Sequence, residues 1–184
     1  MNDTATLAHT WDQTRDQTRD RGSWSAAPRP QLFTRPARPA DMLQVEPLIN
    51  GFAARGVMLS KTLEQLSRNF REFVVATDAD GQLLGCGALR VFTPQLAEVA
   101  SLAVDEAAHG MGVGRAVVQR LAEEARALGI GTVFALTLED AFFHRIGFRT
   151  VPKEMFPLKV WVDCRSCSKL HACDEIAVLL ELDS

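Results

Sequence analysis

At 184 residues the chain supports one α/β domain plus extensions. Its 47% apolar fraction is that of an ordinary globule, and no run approaches the ~20 uninterrupted apolar residues of a membrane span. The net charge is −3, and the first thirty residues carry four Asp against four Arg, so the folded part holds all of it. That balance leaves no basic footprint for nucleic acid and no polybasic membrane patch. The N-terminus lacks an apolar signal core, which favours the cytoplasm, and there four cysteines read as thiols or metal ligands before disulfides.

Residues 1–31 read as a disordered tail: Asp12-Gln-Thr-Arg, Asp16-Gln-Thr-Arg and Asp20-Arg form a small tandem repeat, followed by Pro28 and Pro30. Order is expected over 32–184, beginning with a strand at Leu32 to Arg35 that ends at Pro36. Asp41 is expected to cap a helix through Met42, Val45, Leu48, Ile49 and Phe52. A loop over 57–61 follows, then Thr62-x-x-Gln65 resembles a capping box for a short helix reaching Phe70. Residues 72–77 and 83–92 read as a hairpin around Asp78-Ala-Asp80-Gly81, with Gly85 and Gly87 marking a bulge or a close backbone approach. A strand over 96–104 leads to a helix over 113–128, whose apolar stripe is Val113, Ala116, Val117, Leu121, Ala125 and Leu128. Next come a fully buried strand over 132–137, a short helix over 139–146, a strand over 147–151 and a last strand over 175–182.

The junction His109-Gly110-Met111-Gly112-Val113-Gly114 sits between a strand and a helix N-terminus. Alternate glycines let the backbone turn sharply and leave N–H groups uncovered where the helix dipole gathers positive potential, a ready site for a pyrophosphate. A Walker A loop would need Gly-Lys-Ser/Thr, which is missing, and a Rossmann fingerprint would need glycine where Arg115 stands. The pyrophosphate loop of the GCN5-related N-acetyltransferases, Q/R-x-x-G-x-G/A, fits as His109-x-x-Gly112-x-Gly114. The run from Ala141 through Phe142, Phe143, His144, Arg145 and Ile146 to Gly147-Phe148 resembles the A-x-x-Y-x-x-x-G-F motif of the same superfamily. The chain therefore resembles that superfamily from about Leu32 to Leu182. The expected class is α/β (α+β), a mixed, mostly antiparallel sheet with flanking helices in the order β-α-α-β-β-β-α-β-α-β-β.

The C-terminal third narrows the likeness. Phe134-Ala-Leu-Thr137, Lys159-Val-Trp161-Val-Asp163-Cys164-x-x-Cys167 and Cys173-Asp174-Glu175 are similar to short, stand-alone bacterial N-acetylglutamate synthases. That likeness implies acetyl transfer from acetyl-CoA to the α-amine of L-glutamate, the first step of arginine biosynthesis, by direct attack on the thioester. It implies phosphates on His109, Gly110, Met111, Gly112, Val113, Gly114 and Arg115, with the His109 backbone N–H among the donors. It places pantetheine against Leu102, Ala103 and Val104, and Phe143 where many relatives carry an acidic Tyr. The chain has no Tyr, so water is left to protonate the departing thiolate. Glu98 is the expected general base, sharing by strand alternation one face with Ala100, Leu102 and Val104. His144, a helix neighbour of Phe143, reads as a surface residue. Lys61, Arg71 and Arg90 are the expected cations for substrate carboxylates. Lys61 and Ala100 stand where the subfamily would lead one to expect Arg.

The cysteine segment 159–175 leaves three readings open: structural zinc on Cys164, Cys167 and Cys173 with His171 or Cys86, redox-sensitive thiols, or plain packing. Packing is favoured and no catalytic metal is expected. Two other functional readings also stand: a different acceptor (amino acid, amine or protein N-terminus), or a CoA-binding regulator without catalysis. No nucleic acid or membrane partner is implied, and a homodimer is compatible with the sequence.

Overall fold

The computed structural model describes residues 31–156 and 172–182. Among the described residues, seven strands form one sheet in the order β1-β2-β3-β4-β5-β7-β6. They are β1 Phe33–Pro36, β2 Phe73–Thr77, β3 Leu83–Thr93, β4 Leu96–Val104, β5 Thr132–Thr137, β6 Arg149–Val151 and β7 Ile176–Glu181. Every pairing is antiparallel except β4 with β5. The helices are α1 Met42–Ala53, α2 Leu63–Arg68, α3 Val113–Ala127 and α4 Asp140–Arg145. Their order along the chain is the one the periodicities lead one to expect.

α3 packs on one face of the sheet. Val113, Val117, Val118, Leu121, Ala122 and Ala125 turn inward at helical spacing onto Val74, Leu89, Ala97, Val99 and Val133. α1 and α2 cover the other face, where Met42, Val45, Ile49 and Leu66 meet Phe73, Val75, Cys86, Ala88, Ala100 and Ala103. Further along that second face, Phe134 stacks on Phe156 at 4.0 Å between ring centroids and packs with Val151, Ala177 and Leu179. Gly85 and Gly87 let α3 approach β3. A Cβ on Gly87 would stand 2.9 Å from Val117 Cγ1, and one on Gly85 2.8 Å from Val113 Cγ1. β3 pairs irregularly with β4 at the same place, so both expectations for these glycines hold.

Local signals behave as their chemistry dictates, with one correction. Gln65 N–H donates to Thr62 Oγ1 at 3.2 Å and Thr62 N–H to Gln65 Oε1 at 2.9 Å, completing the capping box of α2. Asp78 Oδ1 accepts from the Asp80 and Gln82 N–H groups, tightening the β2–β3 turn. Asp41, however, makes no side-chain cap on α1. It closes the preceding 3-10 turn Pro39–Asp41, where its carboxylate accepts from Arg38 N–H at 2.6 Å and takes the Arg35 guanidinium as a fork at 2.6 and 2.8 Å. The fork outcompetes the cap because two charge-assisted bonds exceed one neutral donor.

The tail up to residue 30 and most of the cysteine segment, with Trp161, Cys164, Cys167 and His171, lie outside the described residues. Among the described residues, no three His, Cys, Asp or Glu side chains are grouped to hold a metal ion. No described helix is long and apolar enough to cross a membrane.

Candidate active site

β4 and β5 pair only over Leu96–Thr132, Ala97–Val133 and Glu98–Phe134, yet β4 runs on to Val104 and β5 to Thr137. Beyond Glu98 the two parallel strands part. Among the described residues no other strand takes up that edge of β4, so its backbone borders a cleft and can accept an extended chain by strand addition. Just past the parting, β3 passes from Cys86 to Ala88 while β4 passes from Ala103 to Ala100, two residues against one. This is a bulge, and Ser101 at its centre has φ 51°, the one positive φ at a described non-glycine residue.

The bulge corrects the expected facing of β4. Leu102 and Val104 pack with Ala97 and Val99 on the α3 face, whereas Ala100 and Ala103 pack under α1 and α2. An extra residue shifts the alternation by one, so Glu98 and Ala100 do not share a face with Leu102 and Val104.

The end of β4 leads through the 3-10 turn Glu106–Ala108 into α3. Asp105 Oδ1 accepts from Ala107 N–H at 2.8 Å, and the His109 ring nitrogen Nε2 lies 3.2 Å from the Val104 carbonyl, tying the loop to the strand. Gly110 and Gly112 have φ of +78° and +84°, and a Cβ on either would meet nothing within 4 Å, so the space above the loop is open. The first helical bond is Ala116 N–H to Gly112 O at 3.0 Å. The N–H groups of Gly112, Val113, Gly114 and Arg115 therefore precede it without intrahelical acceptors. Phosphate oxygens fit these donors and the positive end of α3. The His109 N–H is engaged with the Glu106 carbonyl at 3.2 Å and the Met111 N–H with the Ala108 carbonyl at 3.3 Å, so neither adds to this donor set. Arg115 is exposed in the first turn.

Phe143 is 4% exposed, in edge-to-face contact with Phe142 at 5.1 Å and Phe148 at 5.0 Å. The aromatic that reaches the loop is Phe142, whose ring would lie 3.3 Å from a Cβ on Gly114. Sequence reasoning missed it. The Phe-Phe doublet offers two rings about 100° apart, and only packing decides which turns toward α3. Counted back from Gly147, the motif's tyrosine falls on Phe143 and its alanine on Asp140, so the likeness rests on the Gly-Phe end. His144 is exposed, its Nε2 2.9 Å from Thr150 Oγ1.

Glu98 is 3% exposed on the face under α1 and α2, where the strands part. Arg90 stands directly opposite it on β3, with its Nε 3.9 Å from Glu72 Oε2. Lys61 is half-buried at the entry to α2. Its backbone is clamped to α1 by Asn50, which accepts from Lys61 N–H at 3.0 Å and donates to its carbonyl at 2.9 Å. Arg71 is exposed, with its guanidinium 5.7 Å from the Phe70 ring centroid. Ala100, 9% exposed, and Ala88 pair across β3 and β4 next to the Arg90–Glu98 row and belong to the core under α1 and α2.

A buried carboxylate, a cleft edged by unpaired strand and an anion-binding helix N-terminus together suit transfer from a phosphate-bearing carrier. The Acetyltransferase (GNAT) family matches residues 42–148. An uncharacterized N-acetyltransferase of Chlorobaculum tepidum is 40% identical over 155 residues, covering 84% of this chain and 99% of that one. An amino-acid acetyltransferase of Mycobacterium tuberculosis is 38% identical over 135 residues, 72% of this chain and 77% of that one. Among solved structures, a Mycobacterium tuberculosis protein in complex with CoA superposes with a TM-score of 0.70 at 34% identity, over 82% of this chain and 99% of that one. The N-acetylglutamate synthase of Neisseria gonorrhoeae, complexed with coenzyme A and N-acetyl-glutamate, gives 0.75 at 28% identity over 84% of this chain but only 36% of its own. The chain belongs to the GNAT acetyltransferase family and is an N-acetyltransferase that uses acetyl-CoA.

Proposed function

We propose that the chain acetylates the α-amine of L-glutamate, the first step of arginine biosynthesis. The observation that carries this is Glu98, a carboxylate almost wholly removed from water at the point where β4 leaves β5. Such a carboxylate suits a general base, because the amine arrives as an ammonium and must lose a proton before it attacks. The Mycobacterium and Neisseria relatives support the amino-acid acceptor and the choice of glutamate.

Bound acetyl-CoA supplies the acetyl thioester. The N–H groups of Gly112 to Arg115 bind its phosphates, and the free edge of β4 over Leu102 to Val104 aligns its pantetheine. A β4 backbone N–H beyond Glu98 serves as donor to the thioester oxygen. Glu98 takes the proton from the ammonium. No Tyr exists in the chain and Phe143 is in the core, so no phenol protonates the departing thiolate. A thiol pKa of about 8.5 lets water do it. Lys61, with Arg71 at the rim, meets the acceptor's carboxylates.

Thiol release from acetyl-CoA across the amino acids tests the acceptor: turnover with glutamate well above aspartate and glutamine is expected. Ala100, standing where the subfamily leads one to expect Arg, favours a second reading, a different acceptor, which takes over if glutamate is inert while another amine turns over. Glu98→Gln is expected to lose about a hundredfold or more in kcat with acetyl-CoA affinity kept. Full activity in that variant removes Glu98 from the chemistry.

A further inference from the structure

Arg90 is one of three cations suited by sequence to grip an acceptor carboxylate, yet its surroundings give it other work. β3 carries it directly opposite Glu98 on one face of the sheet, where cross-strand neighbours have Cβ atoms about 5 Å apart. Its Nε also lies 3.9 Å from Glu72 Oε2. The Arg90 side chain is 20% exposed and Glu98 3%, so the pair sits in a poorly solvated setting. Burial alone favours the neutral form of a carboxyl, and a guanidinium beside it restores the charged form. A general base must be charged to accept a proton. A guanidinium 3.9 Å from Glu72 and opposite Glu98 in the ladder also has less field to offer a third carboxylate.

We propose that Arg90 is a positioning residue: across the β3–β4 ladder it holds the Glu98 carboxylate in place on β4, while Glu72 draws on the same guanidinium from the other side. Among the described residues, the charged groups beside the row include Arg71, exposed next to Glu72. On the cover, Glu46 accepts from Leu63 N–H at 2.9 Å and Lys61 stands at the entry to α2. β5 carries no titratable side chain over 132–137. Arg120 and Glu124 belong to α3, on the opposite face of the sheet.

The assignment rests on Glu98 being the base, which Glu98→Gln tests separately. The experiment is the pH dependence of kcat, with the acceptor KM, for Arg90→Gln, Arg90→Lys and Glu72→Gln. Arg90→Gln is expected to lower kcat about tenfold at pH 7, to move the acid limb to higher pH and to leave the acceptor KM within about twofold. Arg90→Lys, which keeps the charge, is expected to recover most of that loss. Glu72→Gln is expected to move the acid limb the other way, to lower pH, since it removes a negative charge from the row. A rise of about tenfold in acceptor KM for Arg90→Gln, with the limb in place, would make Arg90 a substrate clamp and overturn the proposal. If Arg90→Gln does not fold, Glu72→Gln decides alone: its side chain is 36% exposed, and an unmoved limb overturns the assignment.

Discussion

The approach of α3 to β3 can be tested with one methyl group. Alanine at Gly85 would place a Cβ 2.8 Å from Val113 Cγ1, 2.9 Å from the Ala103 carbonyl oxygen and 3.4 Å from Val104 Cα. Two of the three are backbone. The third belongs to a β-branched side chain that is 1% exposed and has one favoured rotamer in a helix. Nothing flexible can yield, so either β3 and β4 separate or the first turn of α3 lifts. Overpacking of this kind costs about 1–3 kcal/mol, and the lower backbone entropy of alanine offsets about 0.5–1 of it. With no flexible neighbour to yield, the cost lies in the upper half of that range, and a net loss of about 1–2.5 kcal/mol corresponds to roughly 2–10 °C in Tm for a chain of this size. The displaced turn carries the N–H groups assigned to the phosphates, so the KM for acetyl-CoA should rise while that for the acceptor holds. Urea unfolding and initial rates, compared with Gly131→Ala, make the measurement. A Cβ on Gly131 meets nothing within 4 Å, and that variant should stay within about 0.5 kcal/mol of the parent. A Gly85→Ala protein of unchanged stability and unchanged acetyl-CoA KM would refute the packing argument.

Two pH effects follow from single side chains. Burial pushes the Cys86 thiol from 9.0 up to about 12, so the folded state keeps a proton that the unfolded chain releases first. Its contribution is therefore complete below about pH 9 and lost as pH rises toward about 12. Urea midpoints should fall across that window and fall less in Cys86→Ala, while iodoacetamide should spare Cys86 in the native protein. The Arg35 guanidinium holds the Asp41 carboxyl below its ordinary value, so that stabilisation is present at neutral pH and is lost as pH falls through the lowered value. Asp41→Asn should cost about 1 kcal/mol at pH 7 and flatten the acid limb of unfolding, and an unchanged acid limb would show that the fork contributes nothing.

What could be read from the sequence was what repeats. The stripe of α3 repeats every three or four residues, although its expected last member, Leu128, is exposed and Val118 and Ala122 turn inward as well; β5 is a continuous apolar run because both of its faces are covered. The capping box at Thr62 and the Asp78–Gly81 turn use side-chain chemistry confined to four residues, and the structure keeps both. The glycine loop could be read for the same reason: its positive φ values demand glycine and its position demands a helix start. Features settled by competition between distant groups could not. Asp41 had a plausible local cap, and Arg35, six positions away, won it. Phe142 and Phe143 are adjacent in sequence, and only the packing of α4 sends one to the core and the other toward Gly114. The His109 N–H, a phosphate donor by the motif, is taken by the carbonyl of Glu106 in the 3-10 turn before it.

The bulge at Ser101 was the hardest feature to see and the one with the largest consequence for the site. Serine carries no bulge signature, and alternation is a rule about unbroken strands. Yet the extra residue and the parting of β4 from β5 fit one cause. A bulge bends its strand and increases local twist, so the strand that bulges past Glu98 no longer keeps register with a straight parallel neighbour. With unbroken pairing the two strands would satisfy each other's backbone groups and leave no edge for the pantetheine contact proposed at Leu102 to Val104. The same bulge delivers Leu102 and Val104 to the α3 face, and Val104 is in contact range of a Cβ on Gly114 and accepts the His109 tether. Glu98, before the bulge, remains on the face beneath α1 and α2 with Arg90 and Glu72. One inserted residue thus separates Glu98, the proposed base, on one face from Leu102, Val104 and the loop proposed to bind phosphates on the other. In the proposed reaction, the parting of β4 from β5 beyond Glu98 is where the two must meet.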